Sequence, residues 1–280
     1  MPRSARHPAA VWRSRRLLPL VIALALAGAG PAGARELASE PLDLRYDMNF
    51  GGFTVAEFAL RHIPNGTTYR TELAARTVGL VDRFVRYRGE VESEGVKAER
   101  TVLPASYRYE TTSKRVDRLE RVVFDPLTET AIEVDTRKRG KPNQTEVPKS
   151  LWHGVVDPLT ALLRGRQQLA DHQPRVGEEF VLPVFDGRRR YDMVLEVKAR
   201  RELTVAGRKQ PVVELEIEIR ALAGFDADDD KRNLRVDVLV SDDDRMVPLR
   251  IQSLDTPITV TLSLTEDCSA VGATCARGLP

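Results

Sequence analysis

Val213-Glu214-Leu215-Glu216-Ile217-Glu218-Ile219-Arg220 puts every aliphatic side chain on one side of an extended chain and every charge on the other. A helix would scatter the three glutamates around its circumference, so the stretch reads as a strand with one dry and one wet face. Working outward, the same alternation recurs at Leu42, Leu44, Tyr46, Met48 and Phe50, at Tyr191, Met193, Leu195, Val197 and Ala199, at Leu234, Val236, Val238 and Val240, and at Ile258, Val260, Leu262 and Leu264. Parallel strands buried on both faces would read as continuous apolar runs, so these are antiparallel strands.

Turn residues punctuate the strands: Gly51-Gly52, Asn65-Gly66, Asp186-Gly187 and the aspartate-rich stretch from Ser241 to Arg245. About a dozen strands result, near residues 40–50, 53–63, 67–78, 83–94, 102–113, 118–125, 129–138, 179–186, 189–200, 211–222, 232–241, 246–252 and 257–265. One segment departs from the rule. Asp157-Pro158 offers an N-cap followed by proline at the first helical position, and Leu159, Leu162, Leu163, Arg166 and Leu169 follow at helical spacing. A short amphipathic helix is expected over 157–170, its apolar stripe covered by the open end or one face of the sheet. The polar, proline-bearing stretch 138–150 before it reads as a long exposed loop.

The fold expected is mainly β, a single large antiparallel curled sheet, β-barrel-like or β-spiral, that closes or spirals to hide its edges. A split at the 138–150 loop into two smaller sheets is the alternative. A barrel of about a dozen strands is wider than side chains readily fill, so an internal cavity is expected. The aromatic residues gather in the first half, among them Phe50, Phe53, Tyr69, Phe84 and Tyr107, and core packing at alternate positions accounts for most of them.

Residues 1–34 carry an address. Five arginines and no acid precede the apolar run Leu17 to Gly30, and Ala32-Gly33-Ala34 supplies a small-residue cleavage pattern, so the mature chain begins at Arg35 after a cut beyond Ala34. The apolar run has 14 residues, where a bilayer span needs about 20. Ser14-Arg15-Arg16-Leu17-Leu18 also resembles a twin-arginine signal, so either export route fits. No cysteine stands near the cut, so a lipoprotein is not expected; the destination is the periplasm, with a soluble product and no stable membrane insertion. Losing five arginines lowers the basic count from 43 to 38 against 41 acids, a net charge of −3. Such a chain has no compositional case for nucleic acid.

Candidates for chemistry mostly fail. There is no Gly-x-Ser-x-Gly, Ser-x-x-Lys or His-Glu-x-x-His, and no glycine-rich phosphate loop ending in Lys-Ser or Lys-Thr. His62, His153 and His172 are widely spaced; a general base can be imagined only at His153, four residues before Asp157. Asp226, Asp228 and Asp230 have the spacing that opens a calcium loop, but Lys231 and Arg232 occupy its sixth and seventh positions, and Asp237 sits on a strand face. A solvated acidic hairpin is the expected structure. Cys268 and Cys275, with six residues between them, are most simply a structural disulfide in an oxidising compartment, contributing roughly 2 to 3 kcal/mol. No catalytic, cofactor-binding or metal-binding set is expected.

The Leu42–Phe50 strand with Gly51-Gly52, the following strand over 53–61, the Asp157-Pro158-Leu159-Thr160-Ala161-Leu162 helix start and the late hairpin over 241–251 together resemble the domain-of-unknown-function family numbered 3108. The resemblance spans nearly all of the mature chain and rests on structural rather than catalytic motifs. It implies an exported bacterial protein of the cell envelope with a β-barrel-like or β-spiral body and no assigned chemistry. The function expected is noncatalytic: a lipophilic ligand or lipid held in the curled sheet. An envelope-integrity scaffold working through protein contacts, by the 138–150 loop or a strand edge, is the alternative, and a hydrolase with an unconventional site the second. The partner is accordingly a lipophilic small molecule or an envelope protein.

Overall fold

The computed structural model describes residues 37–143, 146–205, 207–226, 233–254, 259–270, 273 and 275. The expected cleavage pair Ala34 and Arg35 lies outside them, as do Asp228, Asp230, Lys231 and Arg232 of the acidic hairpin. Among the described residues fourteen strands form one antiparallel sheet: β1 (Leu42–Phe50), β2 (Phe53–Asn65), β3 (Thr68–Thr77), β4 (Arg88–Ala98), β5 (Thr101–Thr112), β6 (Arg118–Asp125), β7 (Thr130–Lys138), β8 (Lys141–Pro142), β9 (Glu179–Phe185), β10 (Arg190–Val205), β11 (Arg208–Ala223), β12 (Arg235–Ser241), β13 (Pro248–Ser253) and β14 (Val260–Asp267). Two helices, α1 (Gly79–Phe84) and α2 (Pro158–His172), interrupt the run. Neighbours in sequence are neighbours in the sheet, and β1 pairs with β14 in its middle, Tyr46 opposite Leu264 and Met48 opposite Leu262. That one pairing makes a single sheet of the two strand runs on either side of α2.

The sheet is not closed into a barrel; β8 and β9 are its edges. An open edge leaves backbone groups unpaired, and the chain covers these with the segment that leads into α2. On one side Ala131 N–H donates to the Trp152 carbonyl at 2.9 Å and Val155 N–H to that of Glu129 at 3.0 Å. On the other, Val156 N–H donates to Pro183 and Phe185 N–H to Val156, at 3.0 and 2.9 Å. Residues 152–156 therefore seal the seam between β7 and β9 without being a full strand. Trp152 and Phe185 stack across it, ring centroids 5.7 Å apart.

Inside the sheet runs α2. Asp157 caps it, its carboxylate accepting from Leu159 N–H at 2.9 Å and Thr160 N–H at 3.0 Å, and Gln173 ends it in the left-handed conformation. Four positions of this helix belong to four separate apolar clusters: Leu159 with Leu42, Leu44 and Leu60, Ala161 with Val184 and Leu195, Leu163 with Tyr69 and Val102, and Leu169 with Val213 and Val240. The sheet wraps around the helix, so the glutamates of the opening stretch face outward, where Glu214 pairs with Arg201 and Glu216 with Lys198. Polar residues on α2 find partners among the strands and turns around it. Arg164 binds Glu129 at 3.0 Å and the Val102 carbonyl at 2.8 Å, and Arg166 binds the Met246 carbonyl at 3.2 Å.

Two expectations are corrected. The strand expected from residue 83 begins at Arg88, because Gly79, at φ +60°, turns the chain out of β3 and Leu80 to Phe84 coil into α1 across the end of the sheet. Phe53 and Phe84, read as core, are 76 and 77 % exposed for the same reason: they stand at the strand ends, where no neighbour covers them. The 138–150 stretch is exposed, as expected, at every described position except Val147. Val147 is buried in the seam, where its carbonyl accepts from Trp152 Nε1 at 3.2 Å.

Removing the Asp157 carboxylate takes away a helix cap and leaves buried hydroxyls without an acceptor. Asp157→Ala is expected to cost about 2–4 kcal/mol in denaturant unfolding, against under about 1 kcal/mol for the exposed His172→Ala at the other end of α2. Equal losses at the two positions would refute the central role given to the cap.

Candidate functional site

The most buried polar groups form a chain under the start of α2. Tyr69 OH lies 2.7 Å from Thr160 Oγ1, and Thr160 and Ser93 hydroxyls both donate to the Asp157 carboxylate, at 2.5 and 2.8 Å. Burial pushes the Asp157 carboxyl up, and the bonds from Thr160, Ser93 and Leu159 hold it back. Tyr69 reaches this chain because position 95 is glycine: a Cβ there would stand 2.7 Å from the Tyr69 ring and 2.1 Å from the Leu103 carbonyl. All four side chains are buried with their donors and acceptors spent on one another. The chain fixes the helix start against β3 and β4; it is built for position.

The three histidines are not brought together. His62 is fully buried between Thr71 Oγ1, at 2.8 Å, and the Ala38 carbonyl, at 2.9 Å, and ties the segment before β1 to the sheet. Burial lowers its pKa to about 4, against the opposing pull of the Ala38 carbonyl, so at neutral pH it is uncharged. His153 is exposed and bonds Thr130 Oγ1 at 3.1 Å, while Asp157 is occupied elsewhere; the imagined pairing of His153 with Asp157 does not form. His172 sits in the last turn of α2, on the surface. Cys268 and Cys275 lie at disulfide distance, Cα to Cα 5.4 Å, and the Cys268 N–H donates to the Asp43 carbonyl. Asp243 makes a turn, accepting from Arg245 N–H at 2.9 Å and Met246 N–H at 3.1 Å, as its sequence implies.

A hollow of about 180 Å³ opens at the strand ends beside Glu120, with Arg118, Arg137, Lys138 and Arg188 around it. Burial raises the Glu120 carboxyl to about 7, the Asp186 charge adding to it and Arg188 opposing. A second hollow, of about 450 Å³, lies at the other end of the sheet between Ile63, Tyr69, Val96 and Ala105, flanked by Arg70 and Glu94.

The surface that sequence reasoning missed lies at the Glu120 end. Leu80 and Phe84 of α1 are 72 and 77 % exposed, and the start of β2, with Phe53, is held against α1 by the bond from Val78 N–H to the Val55 carbonyl at 3.0 Å. Lys114 N–H donates to Val85 and the Lys114 ammonium to the Arg83 carbonyl, joining α1 to the β5–β6 turn. From there Arg139 N–H donates to Asp117 at 2.8 Å and its guanidinium to the Arg115 carbonyl at 3.2 Å, joining that turn to β7–β8. Exposed phenylalanine and leucine thus sit in one continuous rim with arginine and lysine. The available signal was Leu80-Val81 followed by Phe84-Val85, a helical spacing masked by the strand alternation around it.

The two shifted groups give opposite pH signatures. The unfolded chain protonates its His62 near about 6.5 and the fold resists until about 4, so stability is lost as pH falls through that window, by up to about 3 kcal/mol. Glu120 ionises near about 4.5 unfolded and about 7 folded, so its protonated form stabilises at low pH and stability is lost as pH rises through that interval. Urea unfolding of Glu120→Gln should lose the decline between about pH 5 and about pH 8 that wild type retains. An unchanged decline would mean that Glu120 is solvated.

No match is found among the curated proteins. Of solved structures, a β-barrel-like protein of domain of unknown function DUF1849 from Brucella abortus is similar at 12 % identity and a TM-score of 0.51, over 81 % of this chain and 97 % of that one. A protein described as a lipoprotein from Parabacteroides distasonis matches at 9 % identity and a TM-score of 0.36, over 82 % of this chain and 96 % of that one. An exported protein with a YmcC-like fold from Bacteroides fragilis matches at 5 % identity and 0.35, over 81 and 95 %. The first likeness supports the curled-sheet fold at low identity. The sequence profile of the protein of unknown function DUF3108 matches residues 45–265, from within β1 to within β14, and the chain belongs to that family.

Proposed function

We propose that this is a noncatalytic protein of the bacterial cell envelope, exported to the periplasm, that works by contact through the outer surface of its sheet. The single observation that carries this reading is the occupied interior: α2 packs into four apolar clusters where a barrel ligand would have to sit. The family and its β-barrel-like likeness are compatible with an envelope protein and assign no activity. Phe53, Leu80 and Phe84 stand exposed at the α1 rim together with the exposed cations Arg83, Arg86, Arg115 and Arg139, and this rim includes the first part of the 138–150 loop. A photo-crosslinking residue placed at Phe84 or Arg139 in cells is expected to give envelope adducts that the same residue at Lys209, on the opposite rim, does not. Adducts no more frequent at the rim than at Lys209 would remove the contact reading.

The 450 Å³ hollow supports a second reading, in which a lipophilic molecule is held at the mouth of the sheet between Ile63, Val96 and Ala105. Its volume lies within the range of ligand sites, roughly 300 to 1,000 Å³. Lipid extraction and mass spectrometry of the natively exported protein should then recover a bound lipid, and Ala105→Trp should abolish it. Protein that repeatedly comes off lipid-free rules this reading out.

A further inference from the structure

We infer that the α1 rim docks on an anionic phospholipid bilayer surface; the inference rests on the contact reading and names the partner of that surface. The apolar part is Phe53, Leu80 and Phe84, each more than 70 % exposed. Side chains of that size in water at the tip of a fold mark an interaction site when they are contiguous. Their linkage is direct, since the β1–β2 hairpin and α1 are held together by the Val78 to Val55 bond.

Charge identifies what the patch faces. The three rim segments 78–88, 112–118 and 135–141 hold ten lysines and arginines against three aspartates, a net of +7. Residues 35–280 as a whole carry −3, which leaves −10 for everything else. Two of the three aspartates are taken up, Asp82 by Arg88 at 2.7 Å and Asp135 by Arg137 at 3.1 Å. Arg83, Arg86 and Arg115 are exposed and have no ion-pair partner among the described residues. The hairpin turns of the opposite rim, 65–68, 98–101, 125–130, 205–208 and 241–248, hold three cations against six acids. The molecule is therefore charge-polarised along its strands, with Phe53, Leu80 and Phe84 grouped at the positive end, while the acidic rim exposes Leu127 on its 125–130 turn.

A cationic ring around a small aromatic and aliphatic tip suits the interface of a bilayer that carries negative headgroups. Phenylalanine and leucine enter the boundary between headgroups and chains, and each nearby lysine or arginine adds about 1 kcal/mol of attraction. An acidic protein would match the charge but would have to offer one pocket to Leu80 and Phe84 on α1 and another to Phe53 on β2. A lipid surface needs no such register. The contact is peripheral: no helix among the described residues is long and apolar enough to cross a membrane.

The test uses the processed full chain and vesicle flotation, with vesicles of phosphatidylglycerol and phosphatidylethanolamine against vesicles of phosphatidylcholine. Binding to the anionic vesicles is expected to be at least about tenfold tighter and to weaken with salt. Leu80→Ser with Phe84→Ser, and separately Lys114→Glu with Arg115→Glu, should each reduce it about tenfold, while Arg208→Glu on the opposite rim leaves it unchanged. These side chains are exposed, so the variants are expected to melt as wild type does, and thermal melts check this. Equal affinity for the two vesicle types, no binding to either, or full binding by both double variants overturns the inference. If vesicles are ignored while Phe84 and Arg139 crosslink to an envelope protein in cells, the lipid assignment falls and the contact reading stands; if rim crosslinks are also absent, both fall.

Discussion

A carboxylate with no access to water holds this structure in register. Asp157 has to be surrounded by donors, and the ones it finds come from the first turn of α2 and from Ser93 on β4, while Thr160 passes the connection on to Tyr69 on β3. A long sheet has an inner face that it cannot bury on itself, and a helix that enters that face could slide or rotate if only apolar contacts held it. Hydrogen bonds to one buried acceptor are directional, and leaving that acceptor unmade is expensive. They set the depth and rotation of α2, which in turn decide which leucine meets which strand cluster.

From that placement the seam follows. Residues 152–156 lead directly into the cap, so once α2 is seated they are drawn between β7 and β9, where their backbone groups complete both edges. Trp152 closes the same gap with its ring against Phe185 and its indole N–H on Val147. One covalently continuous run thus supplies the edge cover, the cap and the filling of the core. The interior is consequently committed to packing, and the groups left for interaction are those at the strand ends.

Much of this was legible in the sequence for a physical reason. Alternation such as Val213 to Arg220 works because a strand between a dry core and water has one solution for its side chains, and Asp157-Pro158 announces a helix start because cap and proline act within one turn. The polar chain under α2 was not legible, since Ser93, Tyr69 and Thr160 are brought together only by strand register. Nor was α1: Leu80, Val81, Phe84 and Val85 lie among alternating residues, and exposure at a strand end is a property of the neighbours that are missing. The candidate histidines failed for a related reason. His62 looks like chemistry in a list of residues, and becomes a buried strut once Thr71 and Ala38 close on both its nitrogens.

The pairing of β1 with β14 has a kinetic side. Most neighbours in this sheet are hairpins that close within a few residues, yet the strand that begins the sheet takes one of its two partners from residues 260–267, more than two hundred positions later. Such a loop is closed last and slowly, because its entropy must be met before any contact across it forms. A chain delivered from its N-terminus would hold its first strands as an incomplete fold, with the Leu44 to Phe50 edge bare, until its final strand emerged. The last segment to arrive is the one that joins the two halves, so a truncation anywhere before β14 leaves two separate strand runs and an unpaired edge in the centre of the sheet.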